Sequence, residues 1–298
     1  MNPPARPTFL LLGNTGQVGW ELERTLAPLG RVAAMDFPAI DFTAPASLGE
    51  LIARTQPTVV LNAAAYTAVD RAEQEPERAR AINADAPAAL ATACRQHGAL
   101  LVHYSTDYIF DGAKGAPYVE TDPPAPLNVY GRTKLAGDQA IAASGADHLI
   151  FRLCWVYGAR GQNFLRTIRR LAGERETLRV VNDQRGSPTW CRLIAEATAQ
   201  AVPQVLRAPD RQPFVGTYHL SASGDTTWHG FASAIVDALP PAARRCREVT
   251  PIPTADYPLP ARRPPCSILD SGKLERVFGL RLPRWDEGLR LLLASEET

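Results

Sequence analysis

Thr8-Phe9-Leu10-Leu11-Leu12-Gly13-Asn14-Thr15-Gly16-Gln17-Val18-Gly19 is the stretch on which the fold turns. An apolar run ends on a glycine, and three glycines follow at G-x-x-G-x-x-G spacing. Val18, Leu22, Leu26 and Leu29 then fall on one helical face, which predicts a helix over 17–29. A strand, a glycine turn and a helix in that order open a dinucleotide-binding unit. Glycines let the backbone turn sharply and approach a pyrophosphate, whose charge meets the helix N-terminal amides. Gly13, Asn14, Thr15, Gly16, Gln17, Val18 and Gly19 are therefore read as the cofactor loop. The spacing departs from the commoner G-x-G-x-x-G, so a strand–turn–helix junction without a ligand stays open as the plainer reading.

Downstream the same alternation continues. Arg31 to Met35, Thr58 to Leu61, Ala99 to Tyr104 and His148 to Leu153 read as strands. Helical spacing covers Pro45 to Arg54, Glu75 to His97 (in two pieces around Pro87) and Asn128 to Ala143. Strands alternating with helices of this length imply a parallel sheet covered on both faces. The expected class is α/β, a Rossmann-type doubly wound sheet with a smaller C-terminal α/β substrate domain. The dinucleotide-binding domain is placed at 1–158, with the chain returning to its sheet near 178–182 and 217–220. Residues 159–298 are assigned mainly to the substrate domain; their proline content, 12 of 26 in the last 98 residues, predicts loops and tight turns.

Composition narrows the classes. At 298 residues the chain holds roughly two domains. A net charge of +1 argues against nucleic acid as the main partner. No apolar run reaches the roughly 18 residues of a membrane span, and the N-terminal apolar core is too short for a signal peptide. A cytoplasmic protein is expected. Cys94, Cys154, Cys191, Cys246 and Cys266 are odd in number and lack C-x-x-C spacing, so neither a disulfide framework nor a zinc site is expected. Of 32 basic residues only Lys114, Lys134 and Lys273 are lysines, which makes each lysine more informative than usual.

Four further features carry chemistry. Asp36 closes the second strand where an acidic group binds an adenosine ribose; Asp41 competes for that role, and an exposed turn is the alternative. Asn62-Ala63-Ala64-Ala65-Tyr66-Thr67 supplies small side chains past the third strand, where a cofactor can lie on the backbone. Tyr104-Ser105-Thr106-Asp107-Tyr108 puts hydroxyls at the carboxyl end of the fourth. Tyr130-Gly131-Arg132-Thr133-Lys134 is a Y-x-x-x-K pair, whose members share a helical face. An ammonium near a phenol lowers its pKa, so the phenol can exchange a proton near neutrality. Y-x-x-x-K alone is common on surface helices; the order of glycine loop, strand-end Ser/Thr and Y-x-x-x-K gives it force.

That ordered set resembles the extended short-chain dehydrogenase/reductase superfamily. Flanking residues sharpen the likeness: Asn62 to Asp70, His103 to Tyr108, Pro126 to Gly131, Trp155-Val156-Tyr157, Val181 to Gln184, Gly186 to Thr189 and Ala261 to Pro264 resemble the dTDP-4-dehydrorhamnose reductase family. The resemblance runs from about Phe9 to about Leu293 with motif spacing intact. It implies NAD(P)H-dependent reduction of dTDP-4-dehydro-β-L-rhamnose to dTDP-β-L-rhamnose, the last step of dTDP-L-rhamnose biosynthesis and so a source of sugar for lipopolysaccharide or cell-wall polysaccharide. It also implies roles. Tyr130 is the proton donor, Lys134 holds the cofactor ribose and tunes Tyr130, and Thr106 hydrogen-bonds the sugar at C4. Asp107 and Trp155 join Thr106 and Tyr130 in binding substrate. Asp36, Asp41 and Phe42 bracket the adenosine, while Ala64, Ala65, Tyr66, Thr67 and Tyr104 line the cofactor. NADPH is expected, with NADH as an alternative donor.

One of Arg262 and Arg263 is expected at the substrate diphosphate, Arg263 being preferred, because an arginine fork binds phosphate bidentately; a solvated loop pair is the alternative. No metal is expected in the chemistry. Some family members dimerise through a Mg²⁺ held by glutamates. Glu21 matches one such position, but Arg192 and Ser295 stand at others, and a cation repels Mg²⁺. A monomer or a dimer without a metal bridge is expected. Two rival readings remain: a nucleotide-sugar epimerase or dehydratase of the superfamily, and a non-catalytic NADP-binding regulatory subunit. Intact Thr106, Tyr130 and Lys134 weigh against the second, and the lack of an acid–base carboxylate pair beside Thr106 weighs against a dehydratase.

Overall fold

Thr8–Leu12 (β1) lies between two parallel neighbours, Arg31–Met35 (β2) and Val59–Asn62 (β3). Leu100–Thr106 (β4), His148–Leu153 (β5) and a sixth strand, Gly216–His219, extend the sheet in parallel beyond β3. The order is β2-β1-β3-β4-β5-sixth. The chain thus leaves β1 first to one side and then to the other. That reversal opens a crevice at the carboxyl ends of β1 and β3, the place where doubly wound sheets bind ligands. These observations come from a computed structural model that describes residues 6–296. The outer ends of the two expected domain ranges, 1–5 and 297–298, lie outside the described residues.

Strand residues alternate between two cores. Leu10, Leu12, Val60, Leu101 and Ile150 pack against helices Pro45–Thr55, Ala86–His97 and Val129–Ala143. Phe9, Leu11, Leu61, Val102 and Phe151 pack on the other face, against helices Gln17–Leu26 and Cys191–Arg207. With both faces covered, these strands read as continuous apolar runs. A third core, built on Leu165, Ile168, Leu178, Phe231 and Ile235, belongs to a smaller lobe. Its elements include helices Phe164–Glu174, Trp228–Asp237 and Trp285–Glu296.

The structure corrects the expected organisation in three places. Thr177–Val181 does not rejoin the main sheet; it pairs with Glu248–Ile252 inside the small lobe. Its burial alternates, with Leu178 and Val180 inside and Thr177 and Arg179 outside, as suits a pair packed on one face rather than a central strand. The first lobe also takes back more of the chain than the sixth strand. Helices Cys191–Arg207 and Gly272–Phe278 put Ile194, Val205, Leu274 and Phe278 into the core of the large sheet. Finally, the helical stretch before His97 breaks ahead of Pro87, through one π-turn at Ala81–Asp85. Proline has no N–H to give to the preceding turn, so the wider turn comes just before it.

Candidate active site

The glycine loop is shaped by close approach. Gly13 has φ +83°, and a Cβ there would lie 2.5 Å from the backbone N of Ala64. A Cβ on Gly19 would lie 2.1 Å from Gly13 O, so helix Gln17–Leu26 can abut the turn only at a glycine. Gly16 caps that helix without a side-chain partner, which leaves its first N–H groups for a ligand. At the end of β2, Asp36 accepts hydrogen bonds from Thr15 N and Thr15 Oγ1.

From this loop a cleft of about 810 Å³ runs across the carboxyl ends of the strands toward the small lobe. It brings together Gly13, Thr15, Gly16, Gln17, Val18, Asp36, Phe42, Ala64, Ala65, Thr67, Tyr104, Thr106, Asp107, Tyr130, Lys134 and Trp155 from the expected set. The other expected residues sit differently. Asn14 Nδ2 donates to Glu23, and Gly19 serves helix packing. Asp41 is exposed and holds Thr43 through its backbone N–H and hydroxyl, which keep its carboxyl below the usual range. Tyr66 donates its phenol hydrogen to Glu75. Arg263 spends its fork on Asp70, at 2.9 and 2.6 Å, and is absent from the cleft wall. The arginine expected at a diphosphate is thus a clasp that ties the Ala261–Pro264 loop to the first lobe. Arg262 is exposed, and its carbonyl accepts from Asn128.

The helix that carries Tyr130 and Lys134 starts at a firm cap, because Asn128 Oδ1 accepts from Gly131 N at 2.8 Å. Tyr130 reaches the cleft beside Tyr108, edge to face at 5.9 Å between ring centres. Burial pushes its phenol up to about 12; Thr106 opposes the rise, while Asp107 and Asp138 add to it. The expected lowering by Lys134 is not what the fold arranges. The Lys134 ammonium is turned to Tyr104 O at 2.6 Å and His103 Nε2 at 3.1 Å. Burial also brings Lys134 down to about 8, against the pull of Asp138.

Thr106 and Asp107 form a compact polar end. Thr106 Oγ1 donates to Asp107 Oδ1 and accepts from Tyr108 N, both at 3.1 Å. Asp107 is buried, which raises its carboxyl to about 6, with Ser267, Cys154 and Thr106 opposing the rise. Its Oδ2 has no well-formed hydrogen bond. A polar atom buried without a partner in a cleft wall is suited to a ligand hydroxyl.

Several site residues escaped the sequence reading. Trp228 stacks on Trp155 at 3.5 Å, and both line the cleft. Trp155 has φ +43° and lies so close over Gly186 that a Cβ there would meet its ring at 2.4 Å. Gly161, Gln162 and Asn163 cover the glycine loop, with Asn163 Nδ2 donating to Gln17 Oε1 at 2.9 Å. Asn83, in the π-turn, clasps Tyr66 by accepting from its N at 2.8 Å and donating to its O at 3.1 Å. That clasp holds the Ala64–Thr67 segment against the cleft. No periodicity marks these contacts, since each joins segments far apart in sequence.

The donor set fits a nicotinamide dinucleotide: a tight glycine turn, free helix N-terminal amides, an acidic group at the end of β2, and a lysine facing the cleft. Among the described residues no group of three or more His, Cys, Asp or Glu side chains is placed to hold a metal ion. No helix among them is long and apolar enough to cross a membrane.

The family described as RmlD substrate binding domain matches residues 7–298. A dTDP-4-dehydrorhamnose reductase of Burkholderia thailandensis is 49% identical over 282 residues, covering 93% of this chain and 95% of the relative. One from Salmonella typhimurium is 47% identical over 293 residues, covering 96% and 97%. The crystal structure of a dTDP-4-dehydrorhamnose reductase from Bacillus anthracis in complex with NADP superposes with a TM-score of 0.89. It is 33% identical and covers 97% of this chain and 99% of that one.

Proposed function

The chain belongs to the dTDP-4-dehydrorhamnose reductase family, and we propose from this membership and from its cleft how it carries out the family reaction. It is an NADP(H)-dependent oxidoreductase that reduces the C4 carbonyl of dTDP-4-dehydro-β-L-rhamnose, giving dTDP-β-L-rhamnose. The observation that carries the assignment of roles is the meeting of glycine loop, Thr106, Tyr130 and Lys134 in one cleft.

NADPH would lie with its pyrophosphate on the Gly13–Gly19 turn, its adenosine beside Asp36 and Phe42, and its nicotinamide toward Tyr130. When bound it supplies a hydride to the sugar C4. Negative charge then grows on the carbonyl oxygen, and a positioned acid and hydroxyl donor meet it. Tyr130, protonated at neutral pH, donates its phenol proton to that oxygen. Thr106 Oγ1 turns its one hydrogen from Asp107 Oδ1 to the same atom, and Asp107 Oδ2 accepts from a neighbouring sugar hydroxyl. Lys134 donates its remaining N–H to the cofactor ribose. Trp155 and Trp228 wall the sugar side of the cleft.

Asp36 is placed to accept a ribose hydroxyl, so NADH is proposed as an alternative donor. The enzyme works in the cytoplasm on a dTDP-sugar. It is a monomer or a dimer without a bridging metal, because Arg192 already neutralises Glu21 at 3.2 Å. Oxidation of NADPH or NADH on addition of dTDP-4-dehydrorhamnose, with dTDP-rhamnose identified as the product, tests the reading.

A further inference from the structure

A lysine ammonium has three N–H donors to place, and Lys134 is buried to 1% exposure. Tyr104 O takes one donor and His103 Nε2 faces another. The third is left for the cleft, which Lys134 lines. Its direction is fixed by the other two. Tyr104 O is backbone inside β4; His103 is the anchor made of a side chain.

His103 is fully buried between Lys134 and Asn62, its paired residue on β3. An imidazole holds an ammonium only through an unprotonated nitrogen, so Nε2 must accept and the ring proton must sit on Nδ1. Nδ1–H then needs an acceptor. The Asn62 amide lies 3.1 Å from Nδ1, and its buried Oδ1 has no partner where it points. Amide oxygen and nitrogen are assigned from the network. With the oxygen toward Nδ1, each group from Asn62 to Lys134 meets a complementary one. We infer that His103, locked as its Nδ1–H tautomer by Asn62, is the positioning residue that aims the Lys134 ammonium into the cleft.

The titratable and charged groups around Lys134 are Tyr130 and Asp138 on its own helix, His103 on β4, and Arg152 on β5, which shares Asp138. Burial and the Lys134 charge hold His103 neutral, so it acts as an acceptor throughout the working range. Removing that acceptor leaves the ammonium less well held, and Lys134 should lose its proton at lower pH. The inference rests on the proposed function only for what the aimed N–H meets.

With three lysines in the chain, ¹³Cε-lysine NMR of the whole protein gives three titrating signals, assigned with Lys114→Arg and Lys273→Arg. His103→Leu should lower the Lys134 midpoint by about one pH unit, tenfold in its acid constant. It should cut kcat/KM roughly 10–100-fold and move the basic limb of the pH profile down equally. His103→Gln, whose Oε1 reaches about where Nε2 lies, should restore both. If His103→Leu does not fold, Asn62→Leu, which frees the tautomer, should give the same downward shift. An unmoved midpoint and basic limb in a folded variant would overturn the inference, as would His103→Gln being as defective as His103→Leu. Failure of the reductase reading looks different: wild type would not oxidise NADPH, whatever the lysine signals do.

Discussion

Tyr130, Lys134 and Asp107 are held in the cleft wall with proton affinities they would not have in water. Burial raises Tyr130 to about 12 and Asp107 to about 6, and lowers Lys134 to about 8. A neutral phenol is what a proton donor to a growing alkoxide requires at neutral pH. Asp107 bears the cost of its placement. An acid whose pKa is higher in the folded chain binds its proton more tightly there, so folding loses stability as pH rises from 3.8 through about 6. Two pH units correspond to roughly 2–3 kcal/mol. Asp107→Asn should therefore raise Tm at pH 8, raise it much less at pH 4, and lower turnover of the sugar nucleotide. Thermal melts across that pH range check it; an equal gain at both pH values would mean that the carboxylate charge is not the cause. The identities of these residues were legible because each lies within a short local pattern. Their proton affinities were not, because burial is a property of the whole fold: Y-x-x-x-K led to an expected lowering of Tyr130, and the structure raises it.

Among the elements, the strand ends and the turns after them build the site. Trp155 leaves β5 at φ +43° and lies against Gly186, so its ring position depends on a missing Cβ. Gly186→Ala should push the Trp155–Trp228 stack out of register. Expected is a rise in KM for the sugar nucleotide of about tenfold, on the order of 1–2 kcal/mol, with NADPH binding unchanged, as read by fluorescence titration and steady-state kinetics. An unaltered sugar KM would show that the stack does not line the substrate. Strands β1, β3, β4 and β5 were readable because both faces are buried and their runs are largely apolar. Thr177–Val181 was misplaced because short alternating runs carry no information about which sheet they join. Trp228 and Asn83 gave no signal in sequence, for a helix start and a π-turn become site elements only through partners at Trp155 and Tyr66.

Across the whole molecule, the Ala261–Pro264 loop is tied to the first lobe at a side chain that the linear reading assigned to a ligand. Arg263 was expected at a diphosphate and instead grips Asp70 with both arms. Glu21, matched to a metal position, is paired with Arg192. The elution volume on gel filtration should thus be the same with Mg²⁺ and with EDTA; a chelator-sensitive dimer would contradict this. What the two lobes enclose is the central claim, and it is tested most directly at 340 nm. Wild type and Tyr130→Phe would be given NADPH or NADH with enzymatically prepared dTDP-4-dehydrorhamnose. Turnover by wild type and a fall of at least about 100-fold in Tyr130→Phe is the expected result. Absence of turnover with either cofactor, in folded wild-type protein that binds NADPH, or full activity in Tyr130→Phe, would contradict it.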